Sequence, residues 1–186
     1  MKKWFHLSIE HMPYWLGLAS TLIFAFFIAV ILPQQSELAT IYGLRESVDT
    51  SFFYNASELY RIAESYGALG REFYIVQRWT FDLVWPLVYF SFIFSLSALL
   101  FQSIGLSKMN RWILTFVWFS VAFDYLENIM VSLVMFRYPS QTWVIADLAG
   151  TITSLKWISL GIAFLVLFFL IIIKIIQIIL RSRRKQ

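Results

Sequence analysis

Phe123-Asp124-Tyr125-Leu126-Glu127-Asn128 lies midway along an apolar run from Trp112 to Phe136, and its reading decides the fold. An ionisable side chain at the centre of a membrane-spanning helix costs about 3 kcal/mol or more unless it is paired or hydrated. At about 100° per residue, Asp124, Glu127 and Asn128 share one helix face (i, i+3, i+4). Two acids and an amide there predict a face turned toward protein or a water-filled cavity, away from lipid.

Composition around that run agrees. Of 186 residues, 60% are apolar, 19% aromatic and only 14% charged, which places the chain outside the soluble range. Apolar runs long enough to cross about 30 Å of hydrocarbon fall at about 14–32, 80–101, 112–136 and 142–173. The expected fold class is all-α: a single membrane domain over 1–186, built as a four-transmembrane-helix bundle. A water-exposed loop at about 33–79 separates the first two spans. Pro13 and Pro33 bracket the first run and predict where its helix starts and stops. That run is about 19 residues long and lacks a small-residue cleavage site, so it is read as a retained helix, not a signal peptide.

The chain has no Cys, and its two histidines, His6 and His11, precede the first run. Thiolate or imidazole metal sites, haem and a His-based triad are therefore not expected, and no cofactor or metal is assigned. The net charge of +4 does not point to nucleic acid, because the basic residues sort by membrane side. Placing the N-terminus inside gathers Lys2, Lys3, Lys108, Arg111, Arg181, Arg183, Arg184 and Lys185 on the cytoplasmic side, so both termini are expected there.

The long loop has structure of its own. Asn55-Ala56-Ser57-Glu58 has capping-box spacing, Leu59, Ile62, Ala63 and Tyr66 repeat at helical period, and Gly67 supplies a stop. This predicts an amphipathic helix, part of an extracytoplasmic cap, with a weaker helix near 36–42. After Arg71 the pattern runs helically past Tyr74 and Arg78 into the second span, where Pro86 predicts a kink beside Asp82.

Short connections at 102–110 and 137–140 make spans two, three and four antiparallel neighbours, so their residues can be levelled. Folding about Gly105 sets Asp124 near Tyr89, and folding about Pro139 sets it near Lys156. The result is an inner polar layer of Tyr89, Asp124, Glu127, Asn128 and Lys156. An outer layer of Arg71, Arg78, Asp82 and Asp147 lies above it. Asp147 and Lys156, nine residues apart, face opposite ways unless Gly150 lets the fourth helix bend. Two central acids meet one base, which leaves a surplus carboxyl group, the usual starting point for proton transfer.

The pattern Gly67-x2-Gly70-Arg71-x2-Tyr74, Asp82-x3-Pro86-x2-Tyr89 and Asp124-x2-Glu127-Asn128, over about residues 50–130, resembles a widespread group of small bacterial four-helix membrane proteins. The resemblance implies a bacterial inner-membrane protein and implies no activity. Three function classes follow from the residues. The first is a non-enzymatic membrane component contacting lipids, an oligomer mate or a partner subunit. The second is an intramembrane site for a lipid or small amphiphile, or an enzyme using Asp124 or Glu127 for proton transfer beside Lys156. Tyr74, Arg71, Arg78, Asp82, Tyr89, Asn128 and Asp147 would contact its ligand. The third is a proton-coupled conduit.

Overall fold

The computed structural model describes residues 12–44, 46–48, 51–105 and 114–183. His6, His11, Lys2, Lys3, Lys108, Arg111, Trp112, Arg184 and Lys185 lie outside the described residues. Helix α1 spans Tyr14–Ile41, α2 Ala56–Ser65, α3 Gly67–Arg78, α4 Phe81–Ile104, α5 Thr115–Arg137 and α6 Trp143–Arg183. No strand occurs among the described residues. The helices containing the four apolar runs are each long and apolar enough to cross a membrane.

Helix α1 does not end at Pro33 as the sequence predicts. Proline cannot donate to the carbonyl four residues back, and its ring crowds that carbonyl. The chain absorbs this by opening into a π-helical turn at Phe27–Ile31, where the Leu32 N–H reaches back to Phe27 O. Pro33 then sits in the first turn of the resumed α-helix, where a missing N–H is tolerated. The expected weak helix near 36–42 is the end of this continuous element.

The α2 expectation holds in detail. Asn55 accepts from the Glu58 N–H at 2.9 Å while Glu58 accepts from the Asn55 N–H at 3.0 Å, and Gly67 turns the chain at φ +63°. Its stripe of Leu59, Ile62, Ala63 and Tyr66 is buried against Val131, Val134 and Met135 of α5 and Ala146 and Ala149 of α6. Helices α2 and α3 thus form a hairpin clamped on one end of the bundle. Asp147 accepts from the Ala56 N–H at 2.7 Å, an acid at a helix N-terminus where the dipole favours it. Gly150 serves close approach here: a Cβ at this position would lie 1.8 Å from the Tyr54 carbonyl oxygen. Helix α6 runs unbroken through it.

At the other end, Ala98, Phe101, Leu114 and Leu170 close a second core, and Lys174 donates to Ser103 O at 3.1 Å, satisfying a carbonyl near the end of α4. Helix α1 joins α4 through the Ser20–Ser95 hydroxyl pair at 2.6 Å and through Phe24, stacked 4.3 Å from Phe92. Ser95 thus serves the close approach of α1, while Ser91 is exposed and donates to Leu87 O at 2.7 Å. Between the middle core of Ile93, Val117, Val121 and Ala163 and the hairpin core lies the polar layer.

Candidate functional site

The levels read from loop lengths bring together Tyr89 and Asp124: the phenol donates to Asp124 Oδ2 at 3.1 Å. Lys156, levelled near the same carboxylate and within reach of either acid, forms its ion pair with Glu127. The reason is directional. Helical side chains lean toward the N-terminus, so a lysine on α6 reaches outward by about one turn, to the level of Glu127. Glu127 is fully enclosed, and its other oxygen accepts from the Thr153 hydroxyl at 2.9 Å. Tyr54, arriving from the loop before α2, places its phenol 3.1 Å from that same hydroxyl.

Pro86 explains the placement of Asn128. Lacking an N–H, Pro86 leaves the Asp82 carbonyl without its helical donor. The Asn128 amide supplies one across the helix interface at 3.4 Å, and its own oxygen accepts from Arg78 at 3.5 Å. Arg78 pairs with Asp82 at 2.7 Å and lies over the Tyr74 ring at 4.4 Å. Freed backbone groups in apolar surroundings are commonly re-satisfied in this way. A break at Trp79–Thr80 separates α3 from α4, where the sequence predicts one uninterrupted helix, and the Arg78–Asp82 pair bridges it.

The expected outer layer divides. Arg78 and Asp82 join the inner cluster, whereas Arg71 and Asp147 belong to the hairpin. Arg71 donates to Ala63 O at 2.8 Å and stacks 4.3 Å from the Tyr138 ring centroid. Asp147 is exposed and occupied by the start of α2, away from Asp82, as its position opposite Lys156 on a continuous helix requires.

A cavity of about 530 Å³ opens beside this cluster. One wall is the resumed half of α1, with Leu32, Gln35, Ser36, Ala39 and Thr40; the facing wall is Lys156, Trp157 and Leu160 of α6. Its back follows α3 and α4 through Tyr74, Arg78, Asp82, Trp85 and Tyr89 to Asp124. Glu127, Asn128, Arg71 and Asp147 do not line it. The reading of the sequence missed Thr153, Tyr54 and the contribution of α1. Thr153 stands three residues before Lys156, on the same face, so the levelling that placed Lys156 could have found it. Nothing in the periodicity of α1 marks Gln35 and Ser36 as cavity residues.

The formal charges do not balance. Among the described residues the buried layer holds Arg78 and Lys156 against Asp82, Asp124 and Glu127. Arg78 is committed to Asp82 and Lys156 to Glu127, so the surplus acid is Asp124, held by a single hydrogen bond and facing the cavity. A carboxylate offers about four acceptor positions, so most of its capacity is open to a molecule in the cavity. Comparison of the chain with protein-family models, curated proteins and solved structures gives no match.

Proposed function

We propose that the protein is a multi-pass bacterial inner-membrane protein whose α1–α4–α6 cavity binds an amphiphile, a lipid or a lipid-sized small molecule. Both termini lie in the cytoplasm in this reading, and the α2–α3 hairpin is an extracytoplasmic cap. Arg181 and Arg183 at the end of α6 farthest from the hairpin support that orientation.

The observation that carries the proposal is a cavity of about 530 Å³ that ends on the buried Asp124 and Lys156. A polar cluster that only set helix register would be closed on every side by protein. This one is open on the face that carries its surplus acid. The volume lies within the range of small-molecule sites, and the lining sets apolar and aromatic side chains beside a comparable number of polar ones, the mixed surface an amphiphile needs. Leu32, Phe81, Trp85 and Leu160 suit a hydrocarbon chain, while Asp124, Lys156 and Tyr89 suit a headgroup. Glu127 acts on a ligand only through the charge of Lys156, because Lys156 and Thr153 hold it away from the cavity.

Native mass spectrometry of protein released gently from membranes tests this. The wild type should retain an adduct of lipid-like mass, and Ala39→Trp, which fills the cavity from the α1 wall, should lose it while keeping its thermal midpoint. Identical spectra for the two, with or without an adduct, would remove the cavity as a binding site.

A further inference from the structure

We propose that the headgroup this cavity selects is cationic, an ammonium carried on an apolar tail, with Asp124 as its counter-charge and the faces of Trp85 and Tyr89 beside it. The inference rests on the cavity being an amphiphile site, and names the chemistry that site prefers.

The first support is the charge inventory. A buried charge is tolerated when it is paired and hydrogen-bonded, and two of the three acids in this layer meet that condition within the protein. Asp124 does not. Its one hydrogen bond comes from the Tyr89 phenol, a neutral donor; the Lys156 charge reaches it only through space, since Lys156 is paired with Glu127, and Asp124 lines a space large enough for a ligand. An anionic headgroup would add a second uncompensated negative charge to the same layer. A cationic one would bring the three acids and two bases of the described layer to balance.

The walls are the second support. Trp85 and Tyr89 both line the cavity, their rings 5.9 Å apart and edge to face, and Trp85 is held in place by stacking on Phe24 at 5.7 Å and Phe27 at 6.0 Å. Fixed indole and phenol faces beside a carboxylate are a favourable surrounding for an ammonium, whose attraction to aromatic rings grows as water is excluded. The two cations on the cavity wall oppose this less than free charges would, since Arg78 is paired with Asp82 and Lys156 with Glu127.

A third observation is Tyr74, a residue of the cavity wall that is 1% exposed and whose buried hydroxyl has no hydrogen-bond partner. Orphaned buried hydroxyls are uncommon and call for an occupant. The fitting ligand therefore carries its ammonium at Asp124 and a second hydrogen-bonding group near Tyr74. Its hydrocarbon leaves between Leu32 of α1 and Leu160 of α6.

The test uses full-length protein in phosphatidylcholine nanodiscs, with empty nanodiscs subtracted, and four single-chain probes of equal tail length: ammonium, phosphate, zwitterionic and neutral hydroxyl. The ammonium probe should bind at least tenfold tighter than the other three, and Asp124→Asn should remove that preference, bringing the ammonium and neutral probes within about twofold of each other. A phosphate probe binding as tightly as the ammonium, or a neutral probe doing so because Asp124 holds its own proton, would overturn the charge assignment and leave amphiphile binding intact. If no probe binds above empty nanodiscs, the cavity reading itself falls, and this inference with it. The wild-type ranking decides the matter even where Asp124→Asn does not fold.

Discussion

Replacing Lys156 with Met isolates the energetic role of the buried pair. Methionine keeps most of the side-chain volume, so the change is chiefly one of charge. Glu127 is 0% exposed and Lys156 5% exposed, and the two meet directly. Removing one member of such a pair strands the other, at about 3–5 kcal/mol. The lower end applies here, because Thr153 still donates to Glu127 and polar contacts inside membranes measure weaker than expected. About 3 kcal/mol in a chain of this length corresponds to a fall of about 6–12 °C in thermal midpoint. The second half of the experiment is Glu127→Gln in the same background. A glutamine oxygen accepts from Thr153 as the carboxylate does, and no charge is left unpaired, so the double variant should recover most of the lost stability. The assay is thermal unfolding in one detergent for the wild type, both singles and the double. A Lys156→Met midpoint within 2 °C of wild type, or a double variant as unstable as that single, would refute the reasoning.

The link between Pro86 and Asn128 is open to a similar cycle. Asn128→Leu should cost about 1–2 kcal/mol, since it removes the donor to the Asp82 carbonyl, and Pro86→Ala should reduce that loss by restoring the backbone donor; equal losses in both backgrounds, by thermal midpoint, would exclude the link. Alkaline pH tests the hairpin. Burial, aided by the Glu127 charge, raises the Tyr54 phenol well above its ordinary range, and burial raises Tyr66, which donates to the Glu46 carbonyl. Both stay protonated in the fold while the unfolded chain ionises near pH 10, so the folded state holds more protons and stability should fall as pH rises above about 10. Midpoints measured from pH 8 to 11.5 should decline less steeply in Tyr54→Phe and Tyr66→Phe than in the wild type.

What the sequence disclosed and what it withheld divide along one physical line. Composition and length were enough for four apolar helices, and spacing was enough for the capping box at Asn55 and the stop at Gly67, because these depend on neighbours in the chain. The Tyr89–Asp124 contact was also legible, since a short connection restricts the offset between antiparallel helices. Less legible was everything set by direction or by compensation. Which of the two acids Lys156 would take was not legible, because a side chain leans along its helix. Pro33 failed to stop α1 because a widened turn can absorb a proline, and Gly150, which the sequence left open as a bend, marks a close approach by Tyr54. The cavity was illegible altogether. Its α1 wall exists only because that helix continues beyond Pro33 to Gln35, which accepts from Gln77 of α3 at 3.2 Å.

That continuation also shows why structural and functional readings of the polar cluster need not compete. A register-setting cluster needs its charges paired, and among the described residues four of its five are: Arg78 with Asp82, and Lys156 with Glu127. These pairs, with Asn128 and Thr153, tie α3 and α4 to α5 and α5 to α6. They hold still the frame on which Asp124, the fifth charge, is displayed. Had α1 ended at Pro33, the face bearing Asp124 would have lost its opposite wall. As it stands, α1 and α6 flank that face, and Trp85, stacked on Phe24 and Phe27 of α1, ties the wall to the same helix that carries Tyr89. The rigid pairs thus make a single unsatisfied carboxylate sustainable, and the extended first helix encloses the volume in which a ligand can satisfy it.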